Sequence, residues 1–271
     1  MRTKSCLALL VLILALPAGA ASFPRTLDRA EMASLQEHLP FGLPSDSELL
    51  FRKGFIVSHN NWLKIPNWAV YHIATSTLRD YAGREDDFRP DRDLQAWQRS
   101  ELADYARSGY ARGHMAPSAA IRRSREANSE SFLLSNMVPQ IGPGFNSGIW
   151  AYLEDKVRDW AISRGEGWVF VGPVFQDTDN DGQMQFKLLG KSRVAVPSHN
   201  FMILVTKDRQ GILDTIAFML PNSKAKKELL PTFIVDIKEV ERLTGLDFLA
   251  DLDDDKEDEL ETKRPSTLWA Q

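Results

Sequence analysis

Only one cysteine, Cys6, occurs in the 271 residues, and it lies in an N-terminal stretch expected to be removed. No disulfide framework can therefore hold this chain, and a hydrophobic core must do so. The roughly 250 residues that remain are enough for one large domain or two small ones. With no internal low-complexity linker, one domain is expected, and the lack of any repeat period excludes a solenoid. Long apolar runs are scarce as well. LALLVLILAL, which follows Arg2 and Lys4, is too short for the roughly 20 residues of a membrane helix, and nothing later approaches that length. This excludes a helical membrane-spanning protein. Because the run ends at Pro17 and Ala18-Gly19-Ala20, residues 1–20 have the layout of a secretory signal peptide. The expectation is an exported protein, periplasmic or extracellular, with no membrane contact once the segment is gone.

Charge of one sign is concentrated in one place. The formal net charge is −4, yet DLDDDKEDELET (251–262) alone carries eight acids and one lysine. The rest of the chain beyond residue 20 is then about +1, so the acidic total does not exclude an anionic partner. Such a charge-dense end reads as disordered, and the expected organisation is a signal peptide over 1–20, a domain over 21–250 and an acidic tail over 251–271.

Between those ends strands are more numerous than helices, and 51–74 alternates apolar and polar residues. FRKGFIVSHNNWLKIPNWAVYHIA (51–74) reads as a pair of strands, and Trp168–Phe175, Val194–Thr206 and Ile212–Leu220 as further strands. WQRSELADYAR (97–107) predicts a short helix ending before Gly109, and Ile237–Leu243 a last helix before Gly245. SFLLSNMVPQ (131–140) predicts a short buried strand running into a loop. The clearest helix has Asn146 as its N-cap, a stripe of Ile149, Trp150, Leu153, Val157, Trp160 and Ala161, and Gly165 as its stop. Grouped strands with few alternating helices predict an α+β fold, a mainly antiparallel sheet flanked by helices.

The chemistry-bearing residues lie around YARGHMAPSAA (110–120). His114 is a side chain that can be neutral near pH 7 and accept a proton from an attacking water. Asn146 offers an uncharged carbonyl oxygen, a hard ligand suited to magnesium. Arg112 can grip phosphate oxygens in a fork. Glu154 follows Asn146 by eight residues. On a regular helix it would sit about 12 Å further along and turned by roughly 80°, which favours a water bridge to the metal over direct sharing of one ion. A strand, a loop and a helix bringing these groups together would have the parts needed to cleave a phosphodiester.

RGHMAP, SNMVPQ and FNSGIW-AYLE, in this order and with these gaps, resemble the signature run of the DNA/RNA non-specific endonucleases, which have a ββα-metal active-site motif. PNWAVYHI (66–73), REDDFRPD (84–91), VFVGPVF (169–175), RVAVPSHNF (193–201), FMLPNS (218–223) and EVERLTGLDF (239–248) are similar to the family pattern too, so the likeness spans about residues 50–250. The resemblance implies a magnesium-dependent endonuclease, with manganese able to substitute, that takes DNA and RNA as substrates with little sequence preference and leaves 5′-phosphate ends. It implies His114 as general base, Asn146 as the direct metal ligand, and Arg112 as stabiliser of the charged transition state. Glu154 would hold water of the metal's shell and assist the leaving group. Arg84 resembles a second phosphate-contacting arginine, with Arg89 as a rival. Monomer and homodimer both stay open. Two positions depart from the family pattern: Ala111 stands where aspartate is frequent, and Met202 where lysine is frequent. These bear on rate and substrate preference more than on reaction type.

Other features are read as structural. His38, His59, His72 and His199 lack comparable company. Asp177–Gly182 imitates the start of an EF-hand loop, but Leu188 occupies its twelfth position where a bidentate glutamate is required, so it reads as a polar turn. Arg122, Arg123 and Arg125 either line a nucleic-acid groove or face solvent.

Overall fold

Strands whose side chains are buried on both faces form the centre of the molecule. The computed structural model describes residues 26–45, 47–78, 83–177, 184 and 186–270. Helix α1 (Arg29–His38), started by a reciprocal capping box between Asp28 and Glu31, precedes β1 (Leu49–Arg52), β2 (Phe55–Asn60) and β3 (Ile65–Ala74). A long excursion follows: α2 (Leu102–Tyr105), β4 (Tyr110–His114), α3 (Arg125–Glu130), β5 (Met137–Ile141) and α4 (Ala151–Arg164). The chain returns as β6 (Glu166–Val174), passes through β7 (Leu188–Leu189) and β8 (Val194–Ala195), and makes the long hairpin of β9 (His199–Lys207) and β10 (Leu213–Pro221). It ends with β11 (Ile234–Val235), α5 (Ile237–Thr244) and α6 (Asp254–Glu261).

Seven strands form one sheet in the order β1-β2-β3-β6-β9-β10-β11, every pair antiparallel. The period of two sorts the central strands into two cores. Trp68 and Val70 of β3, Phe170 of β6 and Ile203 of β9 face α1, α5 and α6. Ala69, Tyr71, Val169 and Leu204 point the other way, where Leu153, Val157 and Trp160 of α4 cover them. Everything between β3 and β6 is thus one crossover lying on the second face of the sheet. Gly165 ends α4 with φ 122°, and a Cβ there would stand 2.6 Å from the Lys207 carbonyl oxygen. Only glycine permits that turn back into β6.

The α+β architecture matches expectation, and several elements differ in detail. The expected strand pair over 51–74 belongs to a three-strand run, because the turn at Lys53-Gly54 separates β1 from β2. Val194–Thr206 is interrupted between β8 and β9. The expected helix over 97–107 contracts to the single turn α2, since Ala106 is extended and Arg107 takes φ 55°.

The acidic end is the largest correction. Residues 251–270 are not a disordered tail: α6 is regular, Leu260 and Glu261 are buried, and the Leu260 carbonyl accepts a hydrogen bond from Thr215 Oγ1 at 2.7 Å. Lys238 pairs with Glu261. Further on, Trp269 packs edge-on against Trp160 of α4 and lies under the Arg164 guanidinium at 3.7 Å. A few apolar anchors outweigh the average charge of the segment. The expected signal segment 1–20, and residues 178–182 of the EF-hand-like stretch, lie outside the described residues. Among the described residues no helix is long and apolar enough to cross a membrane.

Candidate active site

β4 and β5 make a separate antiparallel ribbon, in which His114 lies opposite Met137 and Ala111 opposite Gln140. Three asparagine side chains brace it. Asn136 accepts the Ala116 N–H on Oδ1 and donates Nδ2 to the Ala116 and Ser131 carbonyls, at 2.8–2.9 Å. The SNMVPQ stretch therefore clamps RGHMAP immediately after the histidine. Asn222, from FMLPNS, donates to the carbonyls of Pro139 and Pro197 and accepts from the Ile141 N–H, which ties the other end of the ribbon to β8–β10. Asn128 donates to the Ser118 and Ile121 carbonyls and accepts from the Glu85 N–H, which holds the stretch carrying Arg84 against the same loop.

At the middle of the ribbon, Gly113 makes room for a side chain of the facing strand. A Cβ there would come within 2.1 Å of Gln140 Oε1. That oxygen accepts a hydrogen bond from Asn146 Nδ2 at 2.7 Å. With its amide nitrogen engaged, Asn146 has its carbonyl Oδ1 as the end left for a ligand.

His114 closes the ribbon and is buried, with its ring edge-on to Phe132 (centroids 4.9 Å apart) and Phe88 (5.5 Å). Among the described residues its Nε2 has no hydrogen-bond partner. Burial, and then the charges of Arg84 and Arg112, hold its pKa down at about 3, so the imidazole is neutral across the physiological range. Both arginines lie over the rings that pack on it: Arg112 over Phe88 at 3.9 Å and Arg84 over Phe132 at 4.8 Å. Arg84 also bonds to Ser118 Oγ at 3.2 Å. Arg84, Arg112, His114 and Asn146, with Phe88 and the wall formed by α2, line a cleft of about 500 Å³. A larger hollow of about 980 Å³ at the other end of α4 contains the Arg164–Asp214 and Lys207–Glu166 ion pairs and no histidine.

Glu154 stands in the first turn of α4. Burial pushes its pKa up to about 8, Asp155 adds to this, and Arg158 and Arg84 pull the other way. The influence of Arg84 connects Glu154 electrostatically with the cleft. The approach to α4 differs from expectation: Asn146 is not its N-cap. It sits in an irregular turn over 142–150, in which Ser147 and Gly148 leave helical geometry, and the regular helix begins at Ala151. A displacement counted along a regular helix from Asn146 to Glu154 therefore does not apply. The carbonyl oxygen of Asn146 is a neutral, hard donor of the kind a divalent ion takes, whereas Glu154 is not among the residues that line the cleft.

Arg84 lines the cleft, whereas Arg89 is held outside it by Asp87 (2.7 Å) and the Ser129 carbonyl (2.9 Å). Of the basic cluster, Arg123 pairs with Glu37 and Arg125 with Glu85. His72 bonds to Glu166, His59 to the Gln98 carbonyl, and His199 to Ser198. Ala111 lines the cleft, while Met202 is buried in the sheet core. Sequence reasoning missed the roles of Gln140, Phe88, Phe132 and Asn136. Gln140 and Phe88 lie inside quoted motifs, but a hydrogen bond to Asn146 or a ring under Arg112 leaves no trace in spacing.

The family model for DNA/RNA non-specific endonuclease matches residues 36–255. A nuclease of Syncephalastrum racemosum is 36% identical over 223 residues, covering 78% of this chain and 70% of that protein. Mitochondrial endonuclease G of Homo sapiens is 32% identical over 217 residues, covering 78% and 73%. A solved structure of an EndoG/EndoGI complex superposes with a TM-score of 0.76 at 28% identity, covering 81% of this chain and 92% of that one. These relatives correct the expectation of an exported, periplasmic or extracellular protein. Human endonuclease G and several other matched nucleases are mitochondrial by name, so the likeness of the folded region does not support export.

Proposed function

The chain belongs to the DNA/RNA non-specific endonuclease family and is a nuclease, and from that premise we propose that the His114 cleft hydrolyses phosphodiesters of DNA and RNA in a magnesium-dependent reaction. The observation that carries this reading is the His114 Nε2, buried and without a hydrogen-bond partner among the described residues, in a cleft lined also by two arginines and Asn146. As a neutral base, His114 takes a proton from the water that attacks phosphorus in line. The new P–O bond forms as the bond to the 3′ oxygen breaks, which leaves the phosphate on the 5′ end. Arg112 and Arg84, already spread over aromatic rings, meet the charge that builds on the phosphoryl oxygens. Asn146, oriented by Gln140, would hold the ion, and Glu154 would support water around it and the departing oxygen. When bound, magnesium supplies positive charge to a phosphate oxygen and to the leaving group. Contacts of this kind address the backbone and not base edges, which fits low sequence preference.

The test is incubation of plasmid DNA and of RNA with the purified protein, in magnesium and in chelator, followed by analysis of the new ends. Both polymers should be cut in magnesium only, with 5′-phosphates. Undiminished cleavage in chelator, or 3′-phosphate ends, would contradict the proposal.

A further inference from the structure

Two tryptophans stand in solvent side by side. Trp62 is 79% exposed and Trp97 51%, with ring centroids 5.7 Å apart. The other five are buried or packed on the core. Leaving two large apolar rings in water is costly, and this display is braced. Asn60 Oδ1 accepts from the N–H groups of Trp62 and Leu63, at 3.0 and 2.9 Å. Lys64 takes the left-handed region at φ 62°, and its Nζ donates to the carbonyls of Asn61 and Trp62. Trp97 spends its indole N–H on Gln95 Oε1 at 2.8 Å, so what it presents outward is ring surface.

Hydrogen bonds link the segments carrying the pair to the wall of the cleft. The Leu63 carbonyl accepts from Ala195 of β8, and the β7–β8 turn reaches α2 through a 3.1 Å bond from the Ser192 N–H to Asp104. Leu102 and Tyr105 of α2 wall the cleft. Leu102 lies five positions after Trp97, at most about 18 Å of chain. That is roughly five nucleotides at the 3.4 Å spacing of a stacked strand. Lys191 and Arg193 are exposed on the connecting turn, and Lys187 stands 5.0 Å from the Tyr110 ring at the cleft. None of these three cations makes an ion pair among the described residues.

We infer that Trp62 and Trp97 stack bases of an unpaired strand whose backbone enters the His114 cleft, giving this nuclease a preference for single-stranded DNA or RNA. The inference rests on the nuclease reading. Two flat, sequence-indifferent ring faces suit nucleobases, and the cations suit the phosphates between them. Bases inside a duplex already stack on one another, so only an unpaired strand can use the pair.

The test measures binding in chelator, where no turnover interferes, using a fluorescein-labelled thymidine strand of about 20 nucleotides, longer than the roughly 4–16 that such platforms cover. A blunt duplex of equal length is run beside it. The Trp62→Ala/Trp97→Ala double variant should bind the single strand about 10-fold or more weaker, with duplex binding nearly unchanged. Trp62→Tyr/Trp97→Tyr should keep most of the affinity, and both variants should melt as the parent does. Equal single-strand affinity in the parent and the alanine variant overturns the inference, as does an equal loss for both substrates. A parent that binds the single strand through these tryptophans yet cuts nothing in magnesium supports stacking and contradicts the nuclease reading. An alanine variant that cuts in magnesium and binds the single strand as the parent does contradicts stacking alone.

Discussion

His114 and His38 lie on opposite faces of the same sheet, both buried and both held well below the ordinary imidazole range by that burial, at about 3 and about 4. Each also has a ring nitrogen without a hydrogen-bond partner among the described residues. A depressed pKa and an unpaired nitrogen therefore do not distinguish a site from a core. The neighbours do. His38 lies beside Glu37, whose carboxylate pulls its pKa back up and is itself paired with Arg123. His114 has two arginines and an opening: Arg112 makes no ion pair among the described residues, and the cleft admits a substrate whose charge would complement it. Uncompensated positive charge next to a neutral base suits an anionic reactant.

The sharpest way to break this comparison is to remove each ring. His114→Ala is expected to lower the cleavage rate by at least about 10²–10⁴-fold, the range of general-base catalysis, with magnesium affinity little changed. His38→Ala should lower the melting temperature and leave the rate near that of the parent. Equal losses would mean that both histidines are structural.

Next in size are the groups that orient the ion. Asn146→Ala should raise the magnesium concentration needed for half-maximal rate, and Gln140→Leu should do the same more weakly. Freeing the asparagine amide removes an outer contact worth roughly 10–100-fold. A magnesium titration of both variants checks this. If Gln140→Leu left the titration unchanged, the 2.7 Å bond to Asn146 would have no bearing on the ion.

Glu154→Gln should also lose roughly 10–100-fold in rate, yet gain stability in chelator. The sign follows from its raised pKa. Between the ordinary 4.5 and about 8 the folded protein binds a proton that the unfolded chain has released, so this group costs the parent stability as pH rises through that window. The glutamine variant is free of that cost. Melting in chelator should therefore show little difference near pH 4.5 and an advantage for the variant that grows toward pH 8. A constant difference would contradict it.

The smallest effect on chemistry is expected from truncation after Ala250, which touches α4 only from behind. Losing Leu260 and the Trp269–Trp160 contact should cost several kcal/mol, by the scale of buried leucine loss, and lower the melting temperature by about 10 °C. Unchanged melting would return the tail to the disordered class.

Residues 84–154 show what a sequence conveys and what it withholds. His114, Arg112 and Asn146, which line one cleft, could be grouped from the sequence because three motifs keep them in order, whereas Glu154 is not among the residues of that lining. The β strands could be read because the central ones, buried on both faces, are short apolar runs rich in β-branched and aromatic residues. Arg84 and Arg89 could not be told apart, since both have acidic neighbours, and only the fold shows that Arg84, beside Asp86 and Ser118, lines the cleft while Asp87 and the Ser129 carbonyl hold Arg89 outside it. The turn before α4 was read as helix because its apolar residues fall at helical spacing, although Ser147 and Gly148 break the backbone there. The acidic end was misread for a different reason. Composition averages over a segment, whereas docking depends on single side chains, here Leu260 and Trp269.

The most direct test of the central claim, that a neutral His114 is the proton acceptor, is the cleavage rate of His114→Gly in magnesium with and without added imidazole. The missing ring leaves a space between Phe88 and Phe132 that a free imidazole can enter from the cleft. The variant should be nearly inactive alone and recover rate in proportion to the neutral imidazole supplied. Cleavage at the parental rate without imidazole would contradict the account.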